Sequence, residues 1–268
     1  MKRPIGIFDS GVGGLTVFKE IRKKFPYEDI VYFGDTARVP YGPKSKNTVI
    51  DYSIQNARFL TQCGAKIIVV ACNTSSAVAL EQLQRNFSVP VIGVIIPGAE
   101  AAVKATNNNR IGVIGTDGTI RSKAYFNAIR DLVSHAEIYS KACPLFVSLV
   151  EEGWEDHEVT ELVIKEYLTS LLDKNIDTLV LGCTHYPILK QAIRKIVGNK
   201  LALVDSAEAI AEELKHTIPD LETEIMGSDK FFVSDNEEKF RQIASHILGS
   251  NIDSLMNVKL GESWYLPI

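Results

Sequence analysis

Two cysteines, Cys72 and Cys183, stand 111 positions apart, and each closes an apolar run and opens onto small polar residues. The first run is Ile67-Ile68-Val69-Val70-Ala71, followed by Cys72-Asn73-Thr74. The second is Thr178-Leu179-Val180-Leu181-Gly182, followed by Cys183-Thr184-His185. In an open α/β sheet, ligands bind outside the carboxyl ends of the strands, so a strand ending this way offers a thiol and a hydroxyl to a ligand crevice. Free cysteine is also a common buried apolar residue, and one such strand end alone carries little. A matched pair predicts two thiols facing one bound molecule. The chemistry that suits them is proton transfer, with one thiol taking a proton from one face and the other returning a proton to the opposite face. A base must be a thiolate, and an ordinary thiol with a pKa of about 8.5 is mostly protonated at neutral pH. His185, two residues past Cys183, is the candidate to tune or relay for that thiol, and Asp9 is the analogous candidate beside Cys72.

Other segments could join such a site. Asp9-Ser10-Gly11-Val12-Gly13-Gly14-Leu15-Thr16 follows an apolar run and opens an amphipathic one. Its glycines would let backbone N–H groups approach an anion at a helix start, or would form a tight turn capped by Asp9 or Ser10. It lacks the Gly-Lys-Ser/Thr of a Walker loop, and Thr16 stands where the third glycine of a dinucleotide fingerprint belongs, so a carboxylate fits better than a nucleotide. Gly34-Asp35-Thr36-Ala37-Arg38-Val39-Pro40-Tyr41-Gly42 is a second polar loop after a strand, read as a crevice loop or an ordered surface turn. Glu151-Glu152-Gly153-Trp154 follows the apolar run 145–150 and either supplies a carboxylate to the crevice or caps a helix. Cys63 and Cys143 lack such polar company and read as structural. No C-x-x-C pair occurs and the five histidines have no ligand-like spacing, so no metal is expected.

Short apolar strands alternate with longer amphipathic stretches, the pattern of a mostly parallel α/β fold. Strands are expected at 5–8, 30–33, 67–71, 91–92, 111–114, 136–139, 178–181, 201–204 and 230–233, and helices from Leu15, Asn47, Ser75, Ile95, Arg121, His157, Pro187, Ser206 and Glu237. Asn107-Asn108-Asn109 reads as a turn, and Trp264-Tyr265-Leu266-Pro267-Ile268 as a tail packed on the body. The segment from Ile5 through Asp9-Ser10 to Gly11 has a counterpart beginning Ile111-Gly112-Val113-Ile114-Gly115-Thr116-Asp117, an offset of 106 that nearly matches the 111 of the cysteines. Two similar offsets predict two pseudo-symmetric α/β domains with mostly parallel sheets: 1–95 completed by 207–268, and 96–206. Small-molecule sites favour such interfaces, so the active site is expected between them.

The chain has 268 residues, 46% hydrophobic and 23% charged, with a formal net charge of −4. That balance gives no support for nucleic-acid or bilayer binding as a main activity. The apolar run 5–8 is too short for a signal-peptide core, and no run approaches the roughly 20 residues of a membrane span. Free cysteines in such a chain predict a reducing, cytoplasmic location.

Taken together, the segments Phe8 to Thr16, Gly34 to Gly42, Ala71-Cys72-Asn73-Thr74 and Gly182-Cys183-Thr184-His185-Tyr186-Pro187 resemble glutamate racemase, in nearly the whole chain and in order. The resemblance implies an isomerase that needs no cofactor and interconverts L- and D-glutamate, supplying D-glutamate for cell-wall peptidoglycan. It implies that Cys72 and Cys183 are the acid/base pair, Cys72 acting on D-glutamate and Cys183 on L-glutamate. Asp9 and His185 would assist their thiols, with Glu151 or Glu152 a further helper. Asp9, Ser10, Tyr41, Gly42, Asn73, Thr74, Thr184 and His185 would hold the substrate. Ser75 and Ser148 depart from the alanine and proline expected in many relatives, and neither touches the proposed chemistry. A homodimer is the expected assembly. The alternatives are an aspartate racemase of the same superfamily, one methylene different in substrate, and a non-catalytic amino-acid-binding protein, for which two matched thiols have no evident use.

Overall fold

Strands covered on both faces need near-continuous apolar runs, and Ile5-Gly6-Ile7-Phe8-Asp9 is buried along its whole length. It is the first strand of a computed structural model that describes residues 3–218 and 224–260. The first part of the chain runs β1 (Ile5–Asp9), α1 (Leu15–Lys24), β2 (Ile30–Gly34), α2 (Lys46–Gln62), β3 (Ile67–Val70), α3 (Asn73–Asn86) and β4 (Val91–Gly93). Then come α4 (Ile95–Ala105), β5 (Arg110–Gly115), α5 (Asp117–Ser122), α6 (Ala124–Leu132), β6 (Glu137–Ala142), α7 (Leu145–Glu151) and α8 (Glu158–Leu172). The chain continues through β7 (Thr178–Gly182), α9 (Lys190–Val197), β8 (Ala202–Asp205), α10 (Ser206–Thr217), β9 (Asp229–Val233), α11 (Glu237–Leu248) and β10 (Leu255–Asn257).

These strands make two sheets, ordered β10-β9-β2-β1-β3-β4 and β6-β5-β7-β8, and their pairings are parallel. The order β2-β1-β3-β4 in the first sheet repeats as β6-β5-β7-β8 in the second, with β5 in the place of β1 and β7 in the place of β3. The expected α/β architecture with parallel sheets is therefore the observed one. Local chemistry sets the helix ends. Ser45 caps α2 by accepting from Thr48 N at 3.2 Å, and Asn236 caps α11 by accepting from Lys239 N at 3.1 Å. Arg22, Lys23 and Lys24 end α1, where cations favour the helix dipole.

Three elements differ from expectation. The single helix expected near Arg121 is two, because Lys123 takes φ 58 between α5 and α6. The apolar run 145–150 is α7, burying Phe146, Leu149 and Val150 at helical spacing. A further strand, β10, pairs Leu255, Met256 and Asn257 with Phe231, Phe232 and Val233. The turn at Asn107–109 is present, with Asn109 at φ 59. Trp264 to Ile268 lie outside the described residues.

Candidate active site

Both cysteines leave equivalent strands at equivalent points. Ala71 N donates to Phe8 O at 3.0 Å to finish the β3 edge, and Cys72 then stands at the residue before α3. Across the molecule, Gly182 pairs with Gly115 at the end of β7, and Cys183 follows at once. Each thiol is buried.

Around Cys72 the partners come from the first sheet. Its thiol donates to Ser10 Oγ at 3.8 Å, and Tyr41 and Val49 pack against it. Burial pushes the Cys72 thiol up to about 12, and the charge of Asp9 pushes the same way. Asp9 itself is fully buried at the end of β1, where desolvation raises its carboxyl above the ordinary value. The His185 charge and the N–H groups of Gly11, Gly14 and Ser10 oppose that rise, Gly11 N donating to Asp9 Oδ2 at 3.0 Å.

Cys183 has a relay instead. His185 Nδ1 lies 3.8 Å from Cys183 Sγ, and His185 Nε2 lies 3.2 Å from Glu151 Oε1 at the end of α7. Burial alone would lower the imidazole, but the bonds to Cys183 and Glu151 overcome it and push His185 up to about 10. Burial likewise works against the Glu151 charge, and the bond to His185 together with Lys239, 3.8 Å from Glu151 Oε2, holds its carboxyl below the ordinary value. Of the two glutamates left open by the sequence, Glu151 reaches the histidine, while Glu152 is exposed and lies 4.0 Å from Lys239.

The two groups touch one another. Thr184 Oγ1 donates to Asp9 Oδ1 at 3.4 Å, and Thr16 Oγ1 donates to Thr184 O at 3.0 Å. Gly13 is the contact point: a Cβ there would lie 2.4 Å from both His185 Nδ1 and Thr184 Oγ1. Only glycine lets the β1–α1 loop approach so closely. Thr74 also crosses over, sharing a hydrogen bond with Thr116 Oγ1 at 2.8 Å. Asn73 is held on both sides, accepting from Tyr125 OH at 2.8 Å and donating to Ser206 Oγ at 3.5 Å.

Tyr41 and Gly42 have contacts of their own within the protein. The Tyr41 hydroxyl turns inward, donating to Asp35 Oδ2 and accepting from Asn56 Nδ2 at 3.0 Å. The 34–42 loop is thus no simple surface turn, since Asp35 and Tyr41 are buried. Gly42 packs on Thr116, where a Cβ would meet that side chain at 2.8 Å. Thr116, Thr119, Tyr125 and Ser206 were not anticipated. Thr116 alone had a signal, as the counterpart of Ser10 under the internal repeat. Among the described residues, no three His, Cys, Asp or Glu side chains converge as metal ligands, and no helix is long and apolar enough to cross a membrane.

The profile of the Asp/Glu/Hydantoin racemase family matches residues 15–214. The chain belongs to this racemase family. Glutamate racemase of Geobacter metallireducens is 51% identical over 262 residues, spanning 96% of this chain and 97% of the relative. The crystal structure of glutamate racemase RacE1 from Bacillus anthracis superposes with a TM-score of 0.93 at 42% identity, covering 96% of this chain and 98% of that one. That of glutamate racemase from Francisella tularensis in complex with D-glutamate gives 0.91 at 42% identity, covering 97% and 98%. The racemase fold and the enzyme class follow: the protein is an amino-acid racemase, an isomerase.

Proposed function

We propose that this racemase interconverts L- and D-glutamate without a cofactor, by two-base proton transfer between Cys72 and Cys183. The observation that carries the reading is the repeat. Two thiols end equivalent strands of duplicated sheets, each with its own polar partners, and the partners meet through Asp9, Thr184 and Gly13. Glutamate is supported by the relatives, one of them crystallised with D-glutamate.

In the reaction one thiolate removes the α-proton while the opposite thiol donates to the other face. The α-proton is far less acidic than a thiol, so the developing carbanion needs donors aimed at the α-carboxylate. Ser10, Thr74 and Thr184 with the N–H groups of the β1–α1 loop are the candidates, and Asn73 holds their elements in place. His185 would carry the Cys183 proton with Glu151 behind it, and Asp9 would serve beside Cys72. By family resemblance Cys72 acts on D-glutamate and Cys183 on L-glutamate. Closure of the two halves would exclude water and strengthen these contacts.

The same reading assigns two domains, 1–95 with 207–268 and 96–206. Its support is that Ala207, Ile210 and Leu214 of α10 pack into the core under β1, whereas Ala99 and Ala102 of α4 pack with Ile111 and Val180. Peptidoglycan supply, a cytoplasmic location and a homodimer belong to it as well, on the family resemblance. Racemisation of both enantiomers of glutamate and of aspartate tests the assignment. Glutamate should turn over faster, and faster turnover of aspartate would sink it. Sedimentation at working concentration tests the homodimer.

A further inference from the structure

A serine inside a helix usually returns its hydroxyl to the carbonyl one turn back. Ser53 does so, donating to Val49 O at 2.7 Å. Ser76, at the start of α3, donates to Val70 O at 2.8 Å and accepts from Val94 N at 3.2 Å. Its neighbour Ser75 does neither: it is fully buried, and among the described residues its Oγ is one of the buried side-chain oxygens with no hydrogen-bond partner. A buried hydroxyl without a partner is costly unless some group nearby calls on it.

The group beside it is the Cys72 sulfur. Cys72 is the residue before α3 and makes no side-chain capping bond, and Ser75 is the third residue of the helix, the position whose side chain can reach back to the capping residue. Both the N–H and the hydroxyl of Ser75 favour the charged form of the Cys72 sulfur. The Ser75 hydroxyl has no hydrogen-bond partner in this conformation, so the donor is available.

We propose that Ser75, set apart from the chemistry on sequence alone, is a positioning residue for the Cys72 thiolate, its hydroxyl closing onto the sulfur when the proton leaves. A thiol sulfur is a poor acceptor and a thiolate a strong one, so the contact gains most in the charged state. It offsets what the rest of the pocket does. The titratable groups facing Cys72 are Asp9 from β1, Tyr32 from β2 and Tyr41 from the loop before α2. Burial and the Asp9 charge disfavour a thiolate, while Ser75 and Ser10 are the donors that favour it. The inference rests on the two-cysteine reading for its catalytic meaning, but the contact itself can be read without turnover.

The test is the rate at which iodoacetamide alkylates Cys72 at fixed pH near 8, followed by mass spectrometry of the Cys72 peptide, with Tm measured alongside. Below its midpoint, alkylation tracks the thiolate fraction. Ser75→Ala should slow Cys72 roughly tenfold, the shift expected from losing one charge-assisted hydrogen bond, with Tm unchanged or higher because an unpartnered hydroxyl is removed. Ser75→Thr, which keeps the donor, should recover most of the rate. A merely structural role would loosen the pocket and speed alkylation. An unchanged or faster rate in Ser75→Ala, or a Ser75→Thr rate as slow as that of Ser75→Ala, overturns the proposal. Under the two-cysteine reading, kcat/KM in Ser75→Ala falls equally in both directions, because enantiomers have equal free energy. Slowed alkylation with unchanged racemisation would keep the Ser75 contact and defeat the two-cysteine reading instead.

Discussion

The two thiols occupy the same place in a repeated frame, yet their surroundings have opposite character. Beside Cys72 stand a buried carboxyl, Asp9, and hydroxyl donors, and the thiol is pushed up to about 12. Beside Cys183 stands a histidine raised to about 10 and backed by Glu151. Under the offset of 111 that relates the cysteines, His185 falls opposite Thr74, and under that of 106 Asp9 falls opposite Gly115. The sulfurs take equivalent places in the two sheets while their neighbours differ, the second drawing its carboxylate from α7. The frame is symmetric and the chemistry set in it is not.

The largest expected effect would break the pairing outright. Cys72→Ser and Cys183→Ser should each lower kcat/KM for both enantiomers by about 10³-fold or more, read by chiral chromatography. Either variant keeping a tenth of the activity would remove that cysteine from the pair. Next comes the joint between the halves. Gly13→Ala puts a Cβ 2.4 Å from His185 Nδ1, with an expected loss on the order of 10²-fold in kcat/KM and about 1–3 kcal/mol of stability. Wild-type kinetics and Tm in that variant would mean the halves do not meet there.

Glu151→Gln should cost about tenfold in kcat by weakening the relay, and it also sharpens the comparison through pH. His185 is raised from an ordinary 6.5 to about 10, so its contribution to stability is complete below about 6.5 and is lost as pH climbs toward 10. The Tm of the wild type should fall across that window more steeply than that of Glu151→Gln. Parallel Tm curves would uncouple Glu151 from His185. The smallest effect is Tyr125→Phe, which removes the donor to Asn73 for about 1 kcal/mol and a few-fold loss of kcat/KM. Activity equal to wild type would leave the Asn73 tether without kinetic consequence.

Much of this was legible because buried parallel strands write themselves as apolar runs. The runs ending at Phe8, Val70 and Leu181 carry the sheets, and the two offsets announced the repeat. What escaped depends on contacts between distant segments. Lys123 gives no local sign that its φ turns positive and splits a helix. Three residues, Leu255 to Asn257, are too short to reveal an edge strand without Phe231 beside them. Glu151 and Glu152 differ in role only through the rotation of α7 at its last turn. The bond from the Tyr41 hydroxyl to Asp35 exists only once the 34–42 loop folds back on itself. Tyr125 and Ser206 reach Asn73 from the other half, where nothing near them in sequence points to a site.

Proton accounting in heavy water distinguishes two bases from one. L-glutamate converted at early times in D2O should give D-glutamate carrying deuterium at the α-carbon, while recovered L-glutamate remains unlabelled. The reverse direction should give the mirror result, because each thiol serves its own face. Deuterium entering recovered substrate as fast as product, or product keeping the substrate's own proton, would mean one base serves both faces and would contradict the account.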